Sequence, residues 1–266
     1  MDDLLGVARR AAQEASALVR NYYGNATVSQ KADTSLVTEA DTDAHDLIMK
    51  RLGVTGIPIL SEEDVEHIKT PYPDRLWIID PLDGTNGFIQ GTDDFAVMIG
   101  LIEHGKPVLG VVHLPVGDTV YYAQHGNGAY RTESDGTTTK LSVGTRTVPH
   151  LRAIQSINHA QPYMLEVADI LGVRERVGIG GIGVKAGIIA DDRADYFLTL
   201  GRLGEWDVCA PEIILKEAGG VVTDRYGDAL CYGNSDSRVR HGAIFSNGAC
   251  HEDVLHALTR ISTLPK

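Results

Sequence analysis

The stretch "IIDPLDGTNGF" at residues 78–88 places two acids, Asp80 and Asp83, where a short apolar run ends. Proline fixes its own φ and disfavours a helical conformation for the preceding residue, so Pro81 predicts a strand that ends in a stiff turn. Two carboxylates held this close repel each other, and one is expected to protonate unless a cation lies between them. Oxygen ligands without nearby His or Cys favour Mg²⁺ over Zn²⁺. The alternative is an ordinary turn in which Asp83 caps the following helix.

The residues that follow this turn suit an anion. Gly84 allows a ligand to approach the backbone closely, because glycine has no side chain. A helix that begins at Thr85 would turn its free N–H groups towards that ligand. The local sequence therefore predicts metal and phosphate binding side by side, with a purely structural turn as the other interpretation.

Composition limits the class of protein. The chain has 266 residues, of which 43% are hydrophobic, and a formal net charge of −12. It contains no Lys/Arg cluster, which argues against a nucleic-acid polymer as partner. No apolar run approaches the roughly 18 to 20 residues of a membrane helix, and the N-terminus does not resemble a signal peptide, so we expect a cytoplasmic protein with no membrane partner. Its three cysteines form no CxxC pair and indicate neither a zinc site nor a disulfide framework.

Apolar periodicity mixes helices and strands along the whole chain. It predicts a helix over residues 3–22, strands at 57–60 and 75–80, and a hairpin turn at 103–106. The Thr-, Ser- and Gly-rich stretch 132–147 reads as a surface hairpin or loop. We therefore predict an α+β protein with an N-terminal half at 1–147, which carries most metal ligands, and a C-terminal half at 148–266.

Three further acids lie near predicted element ends, and each has a structural alternative. Glu62 in "LSEEDVE" (60–66) follows a strand, where Ser61 and Asp64 also match a helix-capping box. Asp207 in "GEWDV" stands near the start of a helix that we place at about 208–218, where it is either a cap or a metal ligand. Asp41 in "LVTEAD" is either a capping residue or a partner for the hydroxyl of Thr85.

A glycine-rich stretch, "GIGGIGVKAG" at 178–187, matches the GxGxxG pattern of dinucleotide-binding proteins. That pattern requires a hydrophobic strand before it, and the preceding "VRERV" is too charged and too short for a buried parallel strand. We therefore predict a loop that leads into a helix, with substrate contact and a flexible turn as alternative roles. A nucleotide-binding oxidoreductase is set aside because no other motif supports it.

Taken together, "LVTEAD" (36–41), "LSEED" (60–64), "WIIDPLDGT" (77–85) and "WDVCAPEIILKEAGG" (206–220) resemble the inositol monophosphatase family of Mg²⁺-dependent, lithium-sensitive phosphatases. The order and separation of the four motifs match, and the resemblance extends over nearly the whole chain. It implies a layered αβαβα sandwich of the inositol monophosphatase/fructose-1,6-bisphosphatase type, with the site between the two halves.

The resemblance also implies a metal-ligand set. Glu62, Asp80 and the carbonyl of Leu82 would hold one Mg²⁺, and Asp80, Asp83 and Asp207 would hold a second. A third, weaker ion near Glu62 is a further option. Two metals can acidify the nucleophilic water and stabilise the leaving oxygen, so no phospho-enzyme is needed.

Other roles follow from the same resemblance. Thr85, paired with Asp41, would help to activate the water, and Glu62 is included with them as a catalytic residue. The backbone of Gly84 and Thr85 would bind the phosphate. Contacts to the rest of the substrate are assigned to Lys185, Arg202 and His159.

Within the family, "DPLDGTNGFIQG", "GIGVKAG" and the Trp206 motif look most like the 3'(2'),5'-bisphosphate nucleotidase branch. In the inositol-cleaving branch an acid shortly before the Trp-Asp pair binds sugar hydroxyls, whereas "FLTLGRLGE" has leucines there, and Glu205 stands too close to Trp206. Asn86-Gly87 after DGT and Ile157-Asn158-His159 depart from the nucleotidase pattern. Inositol 1-phosphate, fructose bisphosphate and histidinol phosphate therefore stay open as substrates.

The expected partner is a small-molecule phosphate ester. Family members are often dimers, which makes a homodimer an additional expectation. The most distant alternative is a protein that keeps the fold, binds metal and phosphate, and catalyses nothing.

Overall fold

A computed structural model describes residues 3–25, 27–30, 36–65, 70–157 and 160–262. Within those ranges the helices are α1 (Leu4–Tyr22), α2 (Glu39–Gly53), α3 (Thr85–Gln90), α4 (Pro162–Ile170), α5 (Ile182–Ala190), α6 (Glu205–Glu217) and α7 (His251–Leu258). No helix in this part of the chain has both the length and the apolar character needed to cross a membrane.

The strands of the same ranges form two large sheets and two small ones. They are β1 (Val28–Gln30), β2 (Leu36–Thr38), β3 (Ile59–Ser61), β4 (Arg75–Asp83), β5 (Ala96–Glu103), β6 (Lys106–Leu114), β7 (Thr119–Gln124), β8 (Ala129–Thr132), β9 (Thr138–Lys140), β10 (Arg152–Ser156), β11 (Glu175–Ile179), β12 (Tyr196–Thr199), β13 (Leu203–Gly204), β14 (Val221–Thr223), β15 (Arg238–Val239) and β16 (Ala243–Ser246). The seven-stranded sheet has the order β3-β4-β5-β6-β7-β8-β9, and the five-stranded sheet has the order β11-β10-β12-β16-β14.

Apolar side chains cover both faces of the seven-stranded sheet. In β4, Trp77 and Ile79 pack in one cluster with α1 and α2, whereas Leu76 and Ile78 pack with Trp206 of α6. Successive side chains of a strand point to opposite faces, so a strand buried on both faces needs an unbroken apolar run. This explains why "LWII" does not alternate with polar residues.

Two glycines allow α6 to lie directly on this sheet. A Cβ atom at Gly100 of β5 would stand 3.1 Å from the amide nitrogen of Ala210 and still closer to Cys209. A Cβ atom at Gly110 of β6 would stand 2.6 Å from the carbonyl oxygen of Ala210. Side chains at these two positions would lift the helix, so the glycines set the distance between α6 and the sheet.

The layers follow from these contacts. Helices α1 and α2 cover one face of the seven-stranded sheet, and α5 and α6 lie between its other face and the five-stranded sheet. Helices α4 and α7 pack against each other and complete the arrangement. The α+β sandwich with αβαβα layers that the sequence predicted is confirmed by the solved structures described below. The division at 147/148, which lies between the two large sheets, stays a proposal.

Most predicted elements are present, and the structure differs from the sequence analysis at three places besides the end of β4. Residues 175–179 form the strand β11, which pairs in parallel with β10, so a strand does precede the glycine-rich stretch. It is an edge strand with mostly exposed residues, so it tolerates the charges that suggested a loop. Within the described residues 61–65, Ser61 and Asp64 cap no helix, because the chain after β3 forms a turn and an isolated bridge. Helix α6 begins at Glu205, three residues before the predicted start.

Candidate active site

Asp80 and Asp83 lie at the carboxyl end of β4, in the seven-stranded sheet. Both side chains are buried, and the pairing of β4 with β5 is irregular between these two residues. The amide of Leu82 donates to Asp80 Oδ1 at 3.0 Å, which fixes the first carboxylate. The predicted end of the strand at Asp80 is wrong, because β4 continues through this irregularity to Asp83 and the chain turns only at Gly84.

Glu62 and Asp207 come to the same region from other elements. Glu62 follows β3, which runs parallel to β4, and its amide donates to the carbonyl of Ile79 at 3.2 Å. Asp207 lies in the first turn of α6, where its Oδ2 accepts from the amide of Gly204 at 2.6 Å. Parallel strands bring their carboxyl ends to one edge, and the capping bond directs Asp207 towards the start of its helix.

The four acids influence one another electrostatically. Burial raises the pKa of Asp80 well above its ordinary value, and the charges of Glu62, Asp83 and Asp207 raise it further. Burial also raises the pKa of Asp207 well above its ordinary range, with Glu62 and Asp83 adding to the effect. Buried like charges without compensation are unfavourable, so a cation among these acids would relieve their repulsion.

The donor set fits a hard divalent cation. Every candidate ligand is an oxygen, and backbone amides hold one oxygen of Asp80 and one of Asp207. Within the described residues, no group of three or more His, Cys, Asp or Glu side chains has a ready-made metal-binding arrangement. The support for a metal site is therefore the oxygen chemistry and the mutual rise in pKa.

Thr85 and Asp41 form the pair that the sequence predicted. The hydroxyl of Thr85 lies 3.1 Å from Asp41 Oδ1 and 3.1 Å from the carbonyl oxygen of Leu82. The other oxygen of Asp41 accepts from the amide and the hydroxyl of Thr38, at 2.8 and 2.6 Å. Burial raises the pKa of Asp41 despite these hydrogen bonds. The capping box and the Thr85 contact thus coexist, because one carboxylate uses both oxygens.

The glycine-rich stretch is explained by close packing against Asp83. The amide of Gly183 donates to Asp83 Oδ2 at 2.7 Å, and the amide of Ile182 donates to Oδ1 at 3.1 Å. A Cβ atom at Gly181 would stand 2.7 Å from Asp83 Oδ2. Gly84 itself has φ of +87°, and a Cβ atom there would stand 2.6 Å from the carbonyl oxygen of Asp94. Because they lack side chains, these glycines allow the start of α5 to pack directly against Asp83.

Lys185 lies beside the acids. It is buried, its Nζ lies 3.4 Å from Ser156 Oγ, and it stands 4.3 Å from the ring centroid of Phe197. Burial lowers the pKa of Lys185 to about 8, against the opposing charges of Asp83, Asp94 and Asp207.

The structure does not unite the other predicted substrate contacts with Lys185. Arg202 is exposed in the turn between β12 and β13, and it forms no hydrogen bond or ion pair with the described candidate residues. His159 lies outside the described residues. Their roles stay predictions.

Two residues near the site escaped the sequence analysis. The guanidinium of Arg238 lies 5.4 Å from the ring centroid of Trp206, and its charge opposes the rise in the pKa of Asp207. The carbonyl of Asp94 accepts from the amide of Gly181 at 2.9 Å. Asp94 could have been suspected from "DDFAV", but nothing in the sequence around Arg238 indicates its position.

Comparison with known proteins identifies the family of this chain. The sequence profile of the inositol monophosphatase family matches residues 1–263. The chain belongs to this family. The 3'(2'),5'-bisphosphate nucleotidase CysQ of Aggregatibacter actinomycetemcomitans is 35% identical over 255 residues, which cover 90% of this chain and 89% of the relative. CysQ of Escherichia coli strain K12 is 34% identical and covers 91% of this chain and 97% of the relative.

Solved structures of the family share the fold. The Thermotoga maritima IMPase superposes with a TM-score of 0.82 at 28% identity, with 97% of each chain covered. CysQ from Bacteroides thetaiotaomicron superposes with a TM-score of 0.77 at 27% identity, with 92% of this chain and 97% of that chain covered. Membership of this phosphatase family makes the protein a phosphoric monoester hydrolase.

Proposed function

We propose that this protein is a Mg²⁺-dependent 3'(2'),5'-bisphosphate nucleotidase that converts adenosine 3',5'-bisphosphate into AMP and phosphate. The CysQ relatives support this branch of the family, with identities of 34 to 35% over about nine-tenths of the chain. The observation that carries the choice of substrate is the environment of Glu205. The proposal does not extend to a nucleic-acid polymer or a membrane; a cytoplasmic location and a homodimer stay predictions.

Glu205 is the acid nearest the position where the inositol-cleaving branch uses one. It is fully buried, and its Oε1 accepts from the amides of Gly233 and Asn234, both at 3.0 Å. Its Oε1 is therefore committed to the loop before β15, and its Oε2 is buried with no hydrogen-bond partner among the described residues. Leu200, earlier in the segment, supplies no polar side chain. A polyol substrate would lack an acid to bind its hydroxyls here, which favours a nucleotide.

The proposed metal ligands are Glu62, Asp80, the carbonyl of Leu82, Asp83 and Asp207, for two or three Mg²⁺ ions. When bound, the metal supplies Lewis-acid stabilisation of charge on the phosphoryl group and on the water. The chain itself positions three of these ligands, because the amides of Leu82, Gly183 and Gly204 hold Asp80, Asp83 and Asp207.

Thr85 and Asp41 are proposed to move the proton of the attacking water. The hydroxyl hydrogen of Thr85 points to a carboxylate or carbonyl oxygen, so its oxygen lone pairs are available to a water. As the water loses its proton to Thr85 Oγ1, the threonine can pass its own proton to Asp41 Oδ1. Burial makes Asp41 a better base than an exposed aspartate, which suits this relay.

The proposed contact for the second phosphate is Lys185, with Arg202 and His159 as further candidates. A buried ammonium beside several carboxylates attracts an anionic group once those carboxylates are neutralised by metal. Gly84 and Thr85 offer their backbone to the phosphate that is cleaved. Lys185 would thus help to separate bisphosphates from monophosphates.

The alternative within the family is an inositol-1-monophosphatase or another sugar or alcohol phosphate phosphatase. The fructose-1,6-bisphosphatase/inositol-1-monophosphatase of Thermotoga maritima is 32% identical over 228 residues, covering 85% of this chain. The most distant alternative is a binding protein without turnover, which the presence of all the candidate acids and Thr85 disfavours.

Phosphate release from four substrates tests the proposal: adenosine 3',5'-bisphosphate, inositol 1-phosphate, fructose 1,6-bisphosphate and histidinol phosphate. Each is measured with Mg²⁺, with EDTA, and with Mg²⁺ plus lithium. We expect the highest kcat/KM for the bisphosphate nucleotide and no activity in EDTA. Preference for inositol phosphate would reject the substrate and keep the reaction class. No turnover of any of them by a metal-bound protein would reject the enzyme.

The variant Lys185→Gln tests the second-phosphate contact. We expect KM for adenosine 3',5'-bisphosphate to rise about tenfold or more, the effect of losing a charge-assisted contact, while kcat/KM for 3'-AMP changes little. Arg193→Gln, an exposed cation near the end of α5, is the matched control. Equal losses for both nucleotides would remove Lys185 from second-phosphate recognition.

A further inference from the structure

Helix α2 presents two polar side chains, one turn apart, to the segments that carry the candidate active site. Asp41 accepts from the hydroxyl of Thr85, and His45 follows four residues later on the same face of the helix. The Nδ1 atom of His45 lies 2.8 Å from Ser61 Oγ. Ser61 directly precedes the proposed metal ligand Glu62, and no role in the proposed reaction accounts for His45.

The hydroxyl of Ser61 is buried and makes a second hydrogen bond. Ser61 is only 1% exposed, and its Oγ accepts from the amide of Glu63 at 3.3 Å. A serine hydroxyl has one hydrogen and two acceptor lone pairs, so contacts with an imidazole and with an amide can coexist. The bond to Glu63 spans Glu62, so the hydroxyl holds the backbone on both sides of that residue. Ser61 therefore bridges α2 and the segment that carries Glu62.

The backbone of Glu62 is also tied to the strand that carries two other proposed ligands. Its amide donates to the carbonyl of Ile79 at 3.2 Å, and Ile79 directly precedes Asp80. Ser61 pairs with Ile79 in the parallel register of β3 and β4. The end of β3 therefore sets the position of Glu62 relative to Asp80, and the side chain of Ser61 anchors that end to α2.

Electrostatics supports the same arrangement. Burial raises the pKa of Asp41, and the charge of Glu63 raises it further, so the segment after β3 lies close to this face of α2. Burial raises the pKa values of Asp80 and Asp207, and the charge of Glu62 adds to both effects. One face of α2 thus lies beside the proposed proton relay and beside the segment that carries Glu62.

We propose that His45 is a positioning residue that holds Glu62 in place for metal binding through the hydroxyl of Ser61. This inference rests on the proposed role of Glu62 as a metal ligand. Residues that orient a ligand do not touch the metal, yet their loss typically weakens metal affinity by about 10- to 100-fold. His45 acts on the metal site in this way and takes no part in proton transfer. Because Asp41 and His45 share one helix face, α2 keeps the proton relay and Glu62 at a fixed separation.

Calorimetric titration of the full chain with Mg²⁺, in the absence of substrate, tests this proposal. We expect His45→Ala to weaken Mg²⁺ binding by about tenfold or more. His45→Asn places a polar side-chain atom near the former position of Nδ1 and should restore most of the affinity. Ser61→Ala should match the loss in His45→Ala. The double variant should be no weaker than either single variant, because the two residues act through one contact.

Met49→Ala is the matched control. Met49 lies one turn beyond His45 on the same face of α2 and packs against the apolar cluster between this helix and the sheet. Its truncation should lower the free energy of unfolding, measured in urea, and leave the Mg²⁺ affinity unchanged. Unchanged affinity in His45→Ala, or an equal loss in Met49→Ala, would overturn the proposal.

Phosphate release from adenosine 3',5'-bisphosphate separates this inference from the proposed function. In His45→Ala we expect kcat at saturating Mg²⁺ to stay close to that of the original chain, with a raised Mg²⁺ requirement. A large fall in kcat with normal Mg²⁺ binding would reject the positioning role. An original chain that binds no Mg²⁺ would reject the metal site and this inference together. Weakened Mg²⁺ binding in His45→Ala, in a chain that cleaves no nucleotide, would reject the proposed substrate and support the inference.

Discussion

The carboxylate of Asp83 and the amide of Gly183 are joined by a hydrogen bond of 2.7 Å, although they are separated by 100 residues. Asp83 is the last residue of β4, and Gly183 lies in the first turn of α5. One side chain therefore belongs to the acid cluster and also caps a helix of the other half. The position of α5, and with it Lys185, depends on a residue that we propose as a metal ligand.

Asp83→Asn separates these two roles. We expect Mg²⁺-dependent kcat/KM to fall more than about a hundredfold, because an amide is a poor ligand for a hard cation. The fold should persist, since burial disfavours the charge of Asp83 and the amide oxygen can still accept one of the two hydrogen bonds from α5. Phosphate release and urea unfolding measure the two effects. Asp93→Asn, an exposed acid, is the control, and a fully active Asp83→Asn protein would reject the metal assignment.

Thr85→Ala tests the proton relay. We expect kcat at saturating Mg²⁺ to fall by about two orders of magnitude, the usual contribution of acid–base catalysis, with little change in metal affinity. Thr85→Ser keeps the hydroxyl and should retain most of the activity. Steady-state kinetics across a Mg²⁺ titration distinguishes the roles. A normal kcat combined with weakened metal binding would show that Thr85 does not act on the water.

Gly183→Ala tests the close approach of α5 to the seven-stranded sheet. The added Cβ atom would stand 2.7 Å from Met98 Sδ and 2.8 Å from Val112 Cγ1, so we expect a loss of about 1–3 kcal/mol in the free energy of unfolding. Gly53→Ala at the end of α2 meets no atom within 4 Å and should be neutral or slightly stabilising. Urea unfolding of both variants is the measurement. Equal stability would mean that the glycine is not required for packing.

His113→Leu tests the pH dependence of stability. Burial lowers the pKa of His113 to about 4 from an ordinary value of 6.5, so the unfolded chain binds the extra proton between those pH values. Stability is therefore lost as pH falls through this window, by about 2 kcal/mol between pH 7 and pH 5. The leucine variant should lose less stability over that interval, by about this amount. Unfolding at both pH values gives the difference directly, and parallel losses in both proteins would contradict it.

The sequence contained strong local signals for much of this fold. The helix over 4–22 and the hairpin after Glu103 are encoded by neighbouring residues, so their patterns can be read without the rest of the chain. The continuation of β4 past Pro81 depends on its pairing with β5 and had no such local signal. Strand β11 could not be read in this way. Its charged residues suit an edge position, and only the pairing with β10 reveals that position.

Some residues of the candidate site could likewise be identified from local sequence, and others could not. Acids near strand and helix ends were visible as motifs, and so was the pairing of Asp41 with Thr85. Arg238 beside Trp206 and the commitment of Glu205 to the amide of Gly233 arise from a loop that folds back over α6. No spacing rule connects these residues, because their proximity depends on the path of the whole C-terminal half.

The seating of α6 on Gly100 and Gly110 restricts how family members can be recombined. A helix from the second half rests against the backbone of the first, so each half presents a surface shaped for its own partner. A chimera would join the first half of this chain to the second half of a relative. The contact between α6 and the sheet would then be mismatched unless both glycines and the facing Cys209–Ala210 pair were transferred together. The contact between α6 and the two glycine-containing strands therefore has to be exchanged as one unit, and neither half can be exchanged alone.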